Sequence, residues 1–273
     1  MRTMIVFSLL AHENEDGVMD QLKNMRRFVK DYFIVVLYNG STDPNFGKRV
    51  IEEYEEVLVC PYSRPIKYRK TGRVFYDVAR WLASERIKYD YLVYLESDTM
   101  FLGEGFRKFL DKHLEGYDYA AKLWKKFNPK THKTSSPAEN SMIKEWGLWQ
   151  KYFKTDYVCK TSNPFQTYKY RTVQKILKIA DHKRLELFFE KSNVECLGEM
   201  LFPTLARKCG AKVRLYPRWF RKYLRWSPEL QTSDIDTALE KGKYMLAHPV
   251  KSDVVRKYII SKQDNEVAEG VGL

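Results

Sequence analysis

Four short runs of almost unbroken apolar residues, Met4 to Leu10, Phe33 to Tyr38, Val57 to Cys60 and Tyr91 to Leu95, are separated by segments of helical periodicity. This alternation restricts the fold more than any other feature of the chain. Helices are expected at about Gly17 to Lys30, Phe46 to Tyr54 and Gly72 to Glu85. In the last of these, Val74, Phe75, Val78, Ala79 and Leu82 recur at helical spacing. Strands with no polar alternation are buried on both faces, which calls for a mostly parallel sheet covered by helices on either side. Ligands of such sheets bind beyond the carboxyl ends of the strands. The loops at His12 to Glu15, Asn39 to Asp43 and Glu96 to Asp98 therefore form one neighbourhood.

Further along, a helix is expected at Phe106 to His113 and a strand at Tyr117 to Leu123. Residues 125–141 are rich in Lys, Thr, Ser, Pro and Asn and lack periodicity, so they are expected to form a mobile loop of the length used for lids. Helices follow at about Thr172 to Ala180, Leu185 to Phe189 and Leu197 to Lys208, the last stopped by Gly210. A late strand is expected at Lys212 to Tyr216. No repeat or interdomain linker interrupts the pattern. Trp146, Trp149, Tyr152 and Phe153 have the spacing of a helix face packed into a core. Trp219, Tyr223 and Trp226, beside a basic run, are expected at the surface.

The formal charge of +13 on 273 residues points to an anionic partner, and nucleic acid, an anionic membrane face and a phosphate-bearing substrate are all compatible with it. Aromatic residues make up 15% of the chain, a level that suits either single-stranded nucleic acid or carbohydrate. The four cysteines form no CxxC pair and read as cytosolic thiols. No apolar run approaches the ~20 residues that span a bilayer. The opening run leads into a polar loop and lacks a small-residue cleavage site, so it reads as a core strand and not a signal peptide. The expected location is the cytoplasm, with peripheral contact to an anionic membrane face compatible with the charge.

The fourth strand ends in Glu96-Ser97-Asp98. Residues i and i+2 of a strand point the same way, so both carboxylates leave the sheet edge together. Two acids after an apolar lead-in are costly unless a cation meets them, and hard oxygen ligands suit Mg2+ or Mn2+. The alternative is a polar strand end that faces water.

With these residues in place, the chain resembles the glycosyltransferases of the GT-A fold. Glu96-Ser97-Asp98 is similar to the DxD motif, Gly198-Glu199-Met200 opens an amphipathic segment as the xED-like motif does, and His248 follows Tyr244-Met245-Leu246-Ala247 where the family has a carboxyl-terminal metal-binding histidine. The resemblance covers roughly residues 1 to 250. The sequence departs from the family in carrying Glu as the first DxD acid and Met200 where xED has its second acid. The resemblance implies an α/β, Rossmann-like single domain with a mixed, mostly parallel sheet flanked by helices. Residues 1–123 would form its nucleotide-sugar-binding half, 124–262 its acceptor-binding and catalytic half, and 263–273 a flexible tail.

The resemblance also implies a metal-dependent transferase of glycan biosynthesis. It would move a hexose or pentose from a UDP- or GDP-linked sugar to a hydroxyl of a glycan, a lipid-linked molecule or another acceptor. Asp98 and His248 would hold Mn2+ or Mg2+, with Glu96 and Ser97 beside the donor. Glu199 would be the general base of an inverting reaction, with Glu195 as the fallback. Lys70 and Arg73, at a basic helix start suited to phosphate, would contact the donor, as would Lys251 at the leaving phosphate. His12, Asn39 and Ser41 join them by topology alone. Each has a plainer alternative: a structural histidine at 248, a helix-start carboxylate at 199, a solvated basic turn at 70–73 and a simple turn at Asn39-Gly40. A nucleic-acid-binding protein without catalysis is the competing reading, with nucleic acid the less favoured partner. A nucleotidyltransferase would want a Gly-rich basic loop after the first strand, where this chain has Ala11-His12-Glu13-Asn14.

Overall fold

The computed structural model describes residues 4–67 and 70–270, so Tyr68 and Arg69 of the basic segment lie outside the described residues. The first part of the chain alternates as its periodicity predicts. The order is β1 (Ile5–Ala11), α1 (Glu15–Phe28), β2 (Phe33–Asn39), α2 (Lys48–Glu53), β3 (Val57–Val59), α3 (Val74–Ser84) and β4 (Tyr91–Glu96). Then come β5 (Met100–Phe101), α4 (Phe106–His113), β6 (Tyr119–Ala121), β7 (Lys125–Phe127), α5 (Pro137–Lys144), α6 (Trp146–Phe153), β8 (Val158–Lys160) and β9 (Thr167–Lys169). The chain closes with α7 (Tyr170–Ile179), α8 (His182–Lys191), α9 (Leu201–Lys208), β10 (Val213–Leu215), α10 (Thr232–Glu240), β11 (Leu246–Ala247) and α11 (Asp253–Gly270).

One seven-stranded sheet, ordered β10-β6-β9-β4-β1-β2-β3, crosses the molecule. All of its neighbouring pairs are parallel except those made by β9, which lies antiparallel between β4 and β6. β1, which lies between β4 and β2, is buried along its whole length, as strands covered on both faces must be. Helices cover it on both sides. Phe7, Leu9 and Val35 pack on α1 residues such as Val18, Leu22 and Met25, while Val6, Val36 and Tyr94 pack on Phe75, Val78 and Leu82 of α3. The chain thus forms the mixed, mostly parallel sheet flanked by helices that the GT-A resemblance implies. No helix among the described residues is long and apolar enough to cross a membrane.

Two expectations need correction. Residues 125–141 are not a mobile lid: β7 pairs with β8, and α5 follows. Glu139 of α5 is 2% exposed and meets Lys125, Lys160 and His132 at 2.5, 3.1 and 2.8 Å. Burial alone would raise its pKa, but hydrogen bonds from Lys125, His132 and Lys160 bring it down to about 2, so the carboxylate ties the segment together. Tyr223, expected at the surface, is 4% exposed, and Trp219 packs against the same apolar clusters. Only Trp226 of that trio projects into solvent, at 74% exposure. The backbone beyond residue 262 continues α11 as far as Gly270, while 271–273 lie outside the described residues. Trp146, Trp149, Tyr152 and Phe153 are buried on α6 as their spacing predicts.

Candidate metal centre

The segment after β4 is fixed from below by two buried polar side chains of α1. Gln21 donates to the carbonyls of Glu96 (2.9 Å) and Thr99 (2.7 Å). Asn24 donates to the Phe101 carbonyl (2.8 Å) and accepts from the Phe101 N–H (2.7 Å). Both stand on the buried side of α1, among Val18, Leu22, Met25 and Phe28. Buried amides are retained only where they find partners, and here the partners are the backbone that carries Glu96 and Asp98.

The chain returns to this point 150 residues later. β11 pairs antiparallel with β5, Ala247 opposite Met100, and the Val250 N–H donates to the Asp98 carbonyl at 2.7 Å. His248 is thereby set against the two acids. Its Nε2 lies 2.9 Å from Glu96 Oε2 and 3.2 Å from Asp98 Oδ1. Its Nδ1 is 2.9 Å from the Arg225 carbonyl, which can only accept, so Nδ1 carries a proton and Nε2 is the nitrogen turned to the carboxylates. A metal ion there would take the place of the proton on Nε2.

The donor atoms of Glu96, Asp98 and His248 lie within 4.8 Å of one another. Adjacent ligands of an octahedral ion with bonds of about 2.1 Å stand about 3 Å apart. The two separations from His248 match that spacing, and one imidazole with two carboxylates is a donor set suited to Mn2+ or Mg2+. Without a cation the group closes on a proton. Burial alone would lower the pKa of His248, but hydrogen bonds to Asp98 and Glu96 raise it to about 10. Burial would likewise raise Asp98, but the hydrogen bond and charge of His248, with the charge of Lys251, hold it below the usual carboxylate value. The bland strand-end reading of Glu96 and Asp98 therefore does not describe them, since both turn inward to a buried imidazole.

Glu199 ends a 3-10 turn, Leu197–Glu199, whose backbone joins β8 through a bond from the Thr161 N–H to the Glu199 carbonyl (2.9 Å). Its carboxylate is 3.4 Å from Lys160 Nζ. Burial raises its pKa, Lys160 opposes the rise, and the charge of Glu96 adds to it. Glu199 and the acid cluster therefore share one electrostatic neighbourhood. Lys122 belongs there too: burial and Arg221 lower its pKa, while Glu199 and Glu96 pull it up. The Tyr94 hydroxyl, on the same face of β4 as Glu96, is buried with no hydrogen-bond partner among the described residues. Met200, in place of a second xED acid, is fully buried. Glu195 is separate: its N–H is held by Ser141 Oγ at 2.9 Å, and it lines a different cavity with Asn140 and Lys144.

A cleft of about 260 Å³ opens beside the end of β2, lined by Tyr38, Arg64, Lys67, Lys70, Gly72 and Leu197. It reaches the Glu199 turn through Leu197. Gly72 is required there, because a Cβ on it would fall 2.8 Å from Leu197 Cβ. Arg73 also lines the cleft, but its guanidinium is spent on Glu186 (2.6 Å) and Asp77 (3.5 Å) and stacks on Phe189. Lys70 leans on the Ser192 carbonyl at 3.4 Å.

The residues assigned by topology alone fare differently. Asn39 donates to the Asp43 and Phe46 carbonyls and accepts from the Ser41 N–H, so its side chain is consumed by its own turn. Ser41 Oγ accepts from the Asp43 N–H. His12 is exposed, 3.4 Å from Glu13. Ser97 sits between the two acids, and Lys251 is exposed with its N–H on Glu229. Residues that sequence reasoning missed are Gln21 and Asn24, Lys160 and Arg64, while Lys67 and Lys122 stand in basic clusters of the sequence but were given no site role. Only the first pair left a signal, as polar residues spaced three apart within an apolar helix stripe.

No protein-family model matches the chain, and no curated protein matches it. Among solved structures it is similar to the crystal structure of core-mannan synthase A (CmsA/Ktr4) from Aspergillus fumigatus in its Mn/GDP form. The identity is 12%, over 79% of this chain and 73% of that chain, with a TM-score of 0.43. At that distance the likeness transfers no ligand and no residue role.

Proposed function

We propose that the protein is a metal-dependent glycosyltransferase that uses a nucleotide-diphosphate sugar. The observation that carries this reading is the convergence of Glu96, Asp98 and His248 on one point at the carboxyl edge of the parallel sheet. Asp98 and His248 would hold the cation, with Glu96 as a third or water-mediated ligand. A bound divalent ion supplies Lewis acidity toward a diphosphate leaving group.

The chain's own residues do the rest. The cleft at the end of β2 suits the nucleotide, with Lys67, Lys70 and Arg64 supplying positive charge. Arg73 serves there as a braced wall, since Glu186 and Asp77 already hold it. Lys251, whose charge reaches Asp98, stands where it can offset charge on the departing phosphate. Glu199, its pKa raised by burial, is the candidate base for the acceptor hydroxyl, which favours inversion. Asn39 and Ser41 are better read as turn architecture than as donor contacts. A cation clamp of this kind has no purpose in a nucleic-acid-binding protein that works by surface charge alone.

The test is a thermal-unfolding panel of UDP- and GDP-linked sugars with and without Mn2+. At a hundredfold excess over Kd, one of them should stabilise the protein by about 2.7 kcal/mol, a shift of a few degrees, only when Mn2+ is present. Equal stabilisation with a chelator, or by oligonucleotides instead, would remove the proposal.

A further inference from the structure

Lys125 and Lys160 stand directly opposite each other on the paired strands β7 and β8. Like charges in that position destabilise a ladder unless counter-ions meet them. One is present: Oε1 of buried Glu139 takes Lys125 at 2.5 Å and Lys160 at 3.1 Å. A single carboxylate does not balance two ammonium groups, and its Oε2 already meets His132 at 2.8 Å. The second counter-ion is Glu199, 3.4 Å from Lys160 Nζ, with both side chains largely buried. Glu139 depends little on Lys160, because Lys125 lies closer on the same oxygen and His132 holds the other.

The stretch that carries Lys160 also fixes the backbone of Glu199. Thr161 donates its N–H to the Glu199 carbonyl at 2.9 Å, and Gln166 Nε2 donates to the Gly198 carbonyl at 3.1 Å. The Glu199 N–H closes its own turn on the Cys196 carbonyl at 2.8 Å. Lys160 is fixed in turn, since its Nζ also lies 3.3 Å from Ser136 Oγ at the start of α5. Residues 160–166 therefore hold the Glu199 turn by its main chain and the Glu199 carboxylate by an ammonium.

A base must be an anion before it can take a proton, and burial favours the neutral carboxyl. Among the groups facing Glu199, the charge of Glu96 also disfavours the anion, while Lys160 and the Asn163 backbone N–H favour it. Lys122, after β6, and the Tyr94 hydroxyl on β4 share the same field. We propose that Lys160 is a positioning residue for Glu199: seated on Glu139, its ammonium keeps the Glu199 carboxylate charged and aimed at the acceptor hydroxyl. This role rests on the transferase reading, in which Glu199 is the base; the ion contact does not.

The experiment follows release of UDP or GDP from UDP-glucose, UDP-N-acetylglucosamine and GDP-mannose with Mn2+, water serving as acceptor. Lys160→Met should lower kcat by about tenfold or more with KM for the donor within about twofold, and Lys160→Arg should restore part of the loss. Lys125→Met, which removes the other lysine from Glu139, should leave kcat near wild type. In the double variant, Lys160→Met should cost nothing beyond Glu199→Gln, as expected of residues that act through one another. Turnover aside, 13C NMR of protein labelled at the glutamate carboxyl carbon reads the contact itself, the Glu199 resonance being identified by its loss in Glu199→Gln. Glu199 should titrate at higher pH in Lys160→Met than in the wild type, because the cation that favours its anion is gone. An unmoved titration, losses that add to those of Glu199→Gln, or an equal kcat loss in Lys125→Met would overturn the inference while Glu199→Gln still abolishes turnover. If no donor turns over, or Glu199→Gln keeps full turnover, the transferase reading falls and takes this role with it, and the titration then reports the contact alone.

Discussion

Asp98→Asn is expected to cut Mn2+ affinity about 100-fold or more, and with it all Mn2+-dependent binding of the donor. The amide keeps the shape of the side chain but removes the charge that Nε2 of His248 faces at 3.2 Å. Loss of a partner one shell further out already costs about 10- to 100-fold in other metal sites, so loss of a charged ligand sets the higher figure. The fold should not suffer in proportion. The backbone of Asp98 is held by the Val250 N–H, and the loop by Gln21 and Asn24, none of which depends on the carboxylate. Calorimetric titration with Mn2+ checks the affinity, and chemical denaturation checks the fold. Wild-type Mn2+ affinity in the variant would mean that the acids serve only to pair with the imidazole.

The second large effect belongs to Glu199. Glu199→Gln should lower donor turnover about 100- to 10,000-fold, the usual range for losing a general base. Nucleotide-sugar binding should stay near wild type. The two carboxamide atoms replace the two oxygens, and Lys160 keeps Glu139 as its other partner at 3.1 Å, so little else has reason to move. Steady-state turnover, with water or a glycan as acceptor, and thermal unfolding with donor and Mn2+ read the two quantities separately. Turnover within threefold of wild type would strike Glu199 from the mechanism and reopen retention of configuration. Combined loss of binding and turnover would give it a structural role instead.

How far these residues could be read in advance follows from where their signals lie. β1, β2 and β4 were legible because burial on both faces demands unbroken apolar runs, and those runs are local; β3 was legible by the same run although it is an edge strand with Leu58 and Val59 exposed. β9 was not, since Thr167-Tyr168-Lys169 is three residues long and its place between β4 and β6 is decided by long-range pairing. β5 and β11 are two residues each, yet their pairing delivers His248 to Asp98. The order of motifs pointed to that meeting; the ribbon that brings it about has no local signature.

Segment 125–141 was misjudged for a related reason. Its composition is that of a loop, and the two lysines and one histidine gathered around one buried carboxylate come from β7, β8 and the turn before α5, invisible to any window along the chain. Asn39 shows the opposite limit. Topology put it at the right edge of the sheet, but its amide is already satisfied by Asp43, Phe46 and Ser41. Arg73 likewise lies in the expected region and is committed to Glu186 and Asp77. Position can be inferred from strand order, whereas the availability of a side chain depends on partners that only the fold supplies.

The account stands on one ion held between the end of β4 and the residue after β11. Anomalous diffraction at the manganese edge, from crystals grown with Mn2+, measures this without reference to any substrate. The predicted result is a single strong peak about 2.1 Å from His248 Nε2 and from an Asp98 oxygen, with Glu96 in the same shell or one water away. An empty position there, with His248 still closed on both carboxylates at saturating Mn2+, would contradict it.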